Sequence, residues 1–162
     1  MKNYKGFSLL ETLVVVSIFA VLGILITRSV LLTLSGGRKS ESLIRVRDNL
    51  NYSVGIMERQ LRNANSITTC PNPNTSIISY TDINGNAATF SCVNIGTAGY
   101  VASGAARLTS DEINVTKCSL TCITGLGTPS SVTINLEAKD ASASGAENST
   151  VTTSTQIFLR NY

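Results

Sequence analysis

Residues 7–26 (FSLLETLVVVSIFAVLGILI) are an almost unbroken hydrocarbon run, 14 of the 20 being Leu, Ile, Val or Phe. About 20 helical residues at 1.5 Å each match a bilayer core of about 30 Å. At about −0.3 to −0.6 kcal/mol per residue, insertion is favoured by roughly 4–8 kcal/mol before polar penalties. The β-branched content does not oppose a helix, because in lipid the backbone must satisfy its own hydrogen bonds. One acid, Glu11, interrupts the run near its start.

Beyond the span the pattern is different in kind. Over residues 38–64 the apolar positions Leu43, Val46, Leu50, Val54, Met57, Leu61 and Ala64 recur every three or four residues, predicting an amphipathic helix. Between the two apolar patterns stands Ser35-Gly36-Gly37. Two glycines cost about 2 kcal/mol in a helix interior, so a bend, a melted turn or a break into two helices is expected there. From Asn65 the period shortens to two. Strands are expected at 76–82, 86–93, 106–109, 112–120, 131–139 and 151–160, with Asn84-Gly85 signalling a type I′ hairpin. Val132, Ile134, Leu136 and Ala138 should share one face. Residues 140–150 (DASASGAENST) read as a mobile loop, and residues 94–105 as a loop as well. The sum is an α+β chain: one long N-terminal helix, transmembrane then amphipathic, packed on a small antiparallel β-sheet.

Charge and composition narrow the function. The first 64 residues carry nine Lys/Arg against four Asp/Glu, and the remainder four against six, so no basic tail suggests nucleic acid. The basic side of residues 38–62 is interrupted by Glu41, Asp48 and Glu58 and reads as a solvated helix face. The chain has no histidine, which removes Ser-His-Asp and Cys-His chemistry and the commonest transition-metal ligand. No catalytic constellation, cofactor site or metal site is expected. Cys70, Cys92, Cys118 and Cys122 all lie in the second half, where an even count behind a membrane segment suggests disulfides in an oxidising compartment. Three pairings are open, and Cys70–Cys92 with Cys118–Cys122 is the favoured one. The pair Cys118-x3-Cys122 lacks the further ligands a zinc site needs.

The order Lys5-Gly6-Phe7-Ser8-Leu9-Leu10-Glu11, with the apolar run behind it, resembles the prepilin cleavage motif of type IV pilin-like proteins. The resemblance implies that a membrane aspartyl peptidase cuts after Gly6 and methylates the amine of Phe7, and that Glu11 is the acidic position used in assembly. It divides the chain into a leader (1–6), a transmembrane and assembly helix (7–34), an amphipathic helix (35–64) and a C-terminal β-sheet domain (65–162). A secretory signal peptide is the first rival, but its apolar region is shorter, 7–15 residues as a rule, and holds no acid; a plain signal anchor is the second. Lys2 and Lys5 precede the span while Arg28, Arg38 and Lys39 come after it, so charge alone does not orient the chain. The resemblance and the cysteines favour N-in/C-out in the inner membrane, then a surface pilus or periplasmic pseudopilus.

Arg45–Ile67 (RVRDNLNYSVGIMERQLRNANSI) and the ending TQIFLRN at 155–161 resemble W-type minor pilins and the J-type minor pseudopilins of type II secretion. A helix-kinking proline, usual in major pilins, is missing before Pro71, and Arg28 occupies that region instead. These features imply a minor subunit at a filament tip or in initiation. Its partners would be other pilin or pseudopilin subunits, the prepilin peptidase/methylase, an inner-membrane assembly platform and lipid, with no nucleic acid. A pilus-borne adhesin or receptor, touching a surface ligand or DNA through residues 94–105 and 140–150, is the alternative.

Overall fold

The computed structural model describes residues 8–69, 76–125, 128–142 and 148–160. The chain divides into two compact units, Met1–Arg38 and Lys39–Tyr162. A single helix, α1 (Leu9–Arg62), contributes to both. It remains α-helical through Ser35-Gly36-Gly37, so neither the melted turn nor the break into two helices occurs. Good helix formers on both sides, Leu34 before and Arg38 and Lys39 after, carry the pattern across, and a glycine weakens a helix without forbidding it.

In the second unit, α1 turns Val46, Leu50, Val54, Met57 and Leu61 into the core at spacings of three and four, as the sequence periodicity predicts. Two antiparallel sheets replace the one expected. The first is a meander of β1 (Ser66–Thr69), β2 (Ile77–Thr81), β3 (Ala87–Val93), β4 (Tyr100–Ser103) and β5 (Ala106–Arg107). The second is β6 (Ile113–Gly125), β7 (Thr128–Asp140) and β8 (Thr150–Phe158). β7 is the central strand, and Val132, Ile134, Leu136 and Ala138 are all buried on its one inward face. From the first sheet Ile78, Tyr80, Phe90 and Val101 enter the same core, with Tyr80 stacked on Phe90 at 5.2 Å between centroids.

The β2–β3 hairpin forms where expected, but its turn is not type I′. Only Gly85 has a positive φ, at 86°, and the Gly85 amide donates to the Asp82 carbonyl at 3.1 Å while the Asp82 amide donates to the Asn86 carbonyl at 2.9 Å. That is a three-residue loop with glycine at its left-handed position. Asp82 decides the outcome: its Oδ1 accepts from the amides of Asn84 and Asn86, each at 2.8 Å, which favours the wider loop. These bonds, that from Asn86 foremost, hold the Asp82 carboxyl below its ordinary range.

The two sheets are fastened along β6. Cys92 on β3 is bonded to Cys118 on β6, with Cα atoms 6.2 Å apart. Both favoured pairings, Cys70–Cys92 and Cys118–Cys122, are thereby overturned; Cys122 is also disulfide-bonded, and Cys70 lies outside the described residues. Folding brings Cys92 and Cys118 together across sheets, a closeness that sequence spacing does not encode. Nearby, the buried Asn114 side chain accepts from the Gly99 amide at 2.9 Å and donates to the Thr97 carbonyl at 3.0 Å. The Val115 amide donates to the Gly99 carbonyl at 2.8 Å, and the Gly96 amide to the Val115 carbonyl at 3.2 Å. A Cβ at position 99 would collide with the Val115 carbonyl oxygen, so the approach of these strands requires glycine. Gly99→Ala is expected to lower unfolding stability by about 2 kcal/mol, the cost of forcing an extra carbon into a closed contact. Denaturant unfolding of the full chain in detergent, followed by tyrosine fluorescence, checks this; an unchanged midpoint would contradict the tight contact.

Candidate functional site

Every large apolar side chain from Leu9 to Leu34 is exposed, from Val15 at 44% to Leu9 at 82%. The first unit is thus a helix whose whole apolar surface is uncovered, and by length and composition it is long enough to cross a membrane. Four of its hydroxyl groups do not disturb that surface. Thr12 donates to the Leu9 carbonyl at 2.9 Å, Ser17 to Val14 at 2.8 Å, Thr27 to Gly23 at 2.8 Å and Thr33 to Ser29 at 3.0 Å. Each of these hydroxyls is satisfied by its own helix, which suits a segment surrounded by hydrocarbon.

Glu11 stands in the first turn of α1, where the unbonded amides of a helix start favour an anion. The Glu11 and Thr12 amides donate to the Ser8 carbonyl at 3.0 and 3.2 Å. Among the described residues no cation lies within ion-pair distance of its carboxylate, and Arg28 likewise has no acidic partner. Gly6 and Phe7 lie outside the described residues.

Of the two segments read as ligand-touching loops, the first is largely held in place by its neighbours. Residues 100–103 of the first form β4, and residues 94–99 are tied down by Asn114 and the Val115 backbone. Behind them Arg107 is committed to structure: it donates to the carbonyls of Thr109 at 2.7 Å and Ser110 at 2.8 Å, pairs with Asp111, and lies 4.6 Å from the Tyr100 ring centroid. Of the second segment, residues 143–147 lie outside the described residues, and its start is anchored. Asp140, only 3% exposed, accepts from the Ser142 hydroxyl at 2.6 Å and the Ser142 amide at 2.9 Å. Those bonds, the hydroxyl's above all, hold its carboxyl below the ordinary range, with Arg45 adding a smaller attraction.

An open cavity of about 550 Å³ lies in the second unit, with Arg59, Gln60, Asn63, Tyr80, Asp82 and Ser103 on its walls. The Tyr80 hydroxyl donates to Gln60 at 2.7 Å, and burial, then the Asp82 charge, pushes its pKa up. Sequence reasoning did not anticipate this cavity, nor the roles of Asn49, Asn114 and Arg107. Asn49, on the helix, accepts from the Ser110 amide at 3.0 Å and so holds the loop before β6. Only the polar identity of such residues inside patterned segments hinted at them.

Comparison with known proteins bears on the first unit. The family described as a prokaryotic N-terminal methylation motif, which is the type IV prepilin-like motif, matches residues 1–27. The chain matches no curated protein and no solved structure. The motif supports a prepilin-like protein, a structural subunit rather than an enzyme, processed by prepilin peptidase and assembled with other pilins. The exposed apolar helix is consistent with a membrane anchor of such a subunit.

Asp140 generates a pH prediction. Its folded pKa is depressed, so its contribution is fully present above the ordinary carboxylate range and is lost as pH falls through the folded value. Asp140→Asn should cost about 1–2 kcal/mol at pH 7, and the gap from wild type should close on acidification. Unfolding midpoints of both chains from pH 7 to pH 3 measure it; a gap that stays constant would refute the ionised role.

Proposed function

We propose that the protein is a minor pilin or pseudopilin. In this reading residues 1–6 are a leader, removed after Gly6; Phe7 becomes the methylated first residue; residues 7–34 insert and then polymerise; residues 35–64 and 65–162 form the displayed domain. The subunit sits in the inner membrane N-in/C-out and passes into a type IV pilus or type II secretion pseudopilus, at its tip or in its initiation. Its partners are other subunits, the prepilin peptidase/methylase, the assembly platform and lipid.

The observation that carries this reading is a lone carboxylate on a fully uncovered apolar helix, within a matched methylation motif. A carboxylate costs about 2.5–3.5 kcal/mol at the centre of a span and less near its end, so Glu11 is tolerated but needs a cation. Cleavage after Gly6 creates an ammonium at Phe7, one helical turn away. The same pair formed between neighbours fixes the axial register of helices that would otherwise slide, a gain in specificity more than in stability. The likeness of residues 45–67 and 155–161 to W-type and J-type minor subunits, and the missing proline, support the minor role.

Mass analysis of the mature chain is the decisive experiment: it should begin at Phe7 with one added methyl. A chain retaining residues 1–6, or starting beyond the span, would overturn the reading. Glu11→Val should still insert and be cleaved, yet its incorporation into filaments should fall about tenfold or more, the loss expected from about 1.4 kcal/mol of register energy. Wild-type incorporation of that variant would remove Glu11 from assembly.

The second reading, a pilus-borne adhesin or receptor, draws support from the open cavity beside Arg59 and Tyr80 rather than from the two loops. Binding of the full chain to host-surface glycans or DNA, abolished by Arg59→Ala, would favour it.

A further inference from the structure

Between Leu9 and Gly37 the helix carries two charged residues, Glu11 and Arg28, of opposite sign. Both are exposed, and neither has an ion-pair partner among the described residues. They cannot meet within one chain: 17 residues of α-helix separate them by about 26 Å along the axis. Around the axis they point about 100° apart, since 17 residues make about 4.7 turns.

In a bilayer Arg28 can reach the interface by extending its side chain. Covering the helix changes that. Leu31 and Leu32 flank Arg28 on its own side of the helix, so a neighbour that buries that side also takes the guanidinium out of water. A buried guanidinium needs an anion, and Glu11 is the one acid this surface offers.

We infer that Arg28 of one copy pairs with Glu11 of a second, parallel copy displaced by 17 residues along the helix. The occupant of the apolar surface is therefore another copy of this chain, selected by charge complementarity. Because the two groups point in different directions, each copy offers Arg28 to one neighbour and Glu11 to another. Such a head-to-tail contact does not close on itself. Glu11 has two carboxylate oxygens, so an ammonium at the helix start and a guanidinium can share it. The inference rests on the assembly reading above and adds a second determinant of register to it.

Parallel neighbours with this offset bring residue 32 of one copy level with residue 15 of the other, each one turn beyond the charged pair. The test places Val15→Cys and Leu32→Cys in the full-length chain in its own cells and oxidises the assembled filament fraction sheared from them. A comparison chain carries Val15→Cys and Leu22→Cys, which report a 7-residue offset. The 15/32 pair should give intermolecular adducts in preference to the 15/22 pair. Adding Arg28→Gln should cut the 15/32 adduct at least about fivefold, the size of a modest coupling between contacting groups, while cleavage after Gly6 is unaffected. Adducts dominated by the 15/22 pair, or a 15/32 adduct indifferent to Arg28→Gln, would overturn the inference and leave the assembly reading intact. Absence of adducts from both chains would overturn the inference, while the assembly reading is decided separately by the mass of the mature chain.

Discussion

A lone acidic side chain on an uncovered apolar helix is the constraint on which the first unit's organisation turns. Everything around Glu11 minimises competing polarity: the apolar side chains face outward, and the hydroxyls of Thr12, Ser17, Thr27 and Thr33 are returned to their own helix's carbonyls. What remains on that surface is shape, which slides, and charge, which does not. Polar character on the first unit's surface is therefore concentrated in very few side chains.

The second unit solves a separate problem, how to make a stable body from a chain with few aromatics and few charges. Its answer is a helix face laid on two antiparallel sheets, with the interior filled by β-branched and leucine side chains and by the Tyr80–Phe90 stack. Polar side chains then act as fasteners at places where backbone strands approach without a ladder. Asn114 and Asn49 each satisfy backbone amides of loops, and Arg107 gathers carbonyls before β6. Losing such a residue would strand buried backbone groups, whose desolvation is costly.

Much of this was legible in the residues. Periodicity located the buried face of α1 and the inward face of β7, because both depend on burial repeating at a fixed interval. The span and the front motif were equally plain, since hydrocarbon length and a charged residue inside it are local properties. The division into two sheets was not, and neither were β1 and β4. Four-residue strands such as Tyr100–Ser103 are too short to show a period, and their pairing is set by partners distant in sequence. The helix through Gly36-Gly37 and the wider turn at Asp82 show propensity yielding to context: flanking helix in one case, side-chain acceptors in the other. The disulfide pairing failed for the same reason as the strands, for it joins residues that only the assembled sheets make neighbours.

The bond between Cys92 and Cys118 also has a mechanical meaning. Their separation of 26 positions encloses β4, β5, Arg107 and the 94–99 segment in a covalent ring. Tension passed along the backbone from either side cannot draw out the segment this bridge encloses. A body that is hauled by its helix while its far side is held would therefore keep that enclosed portion folded under load, whatever happens to the strands outside it.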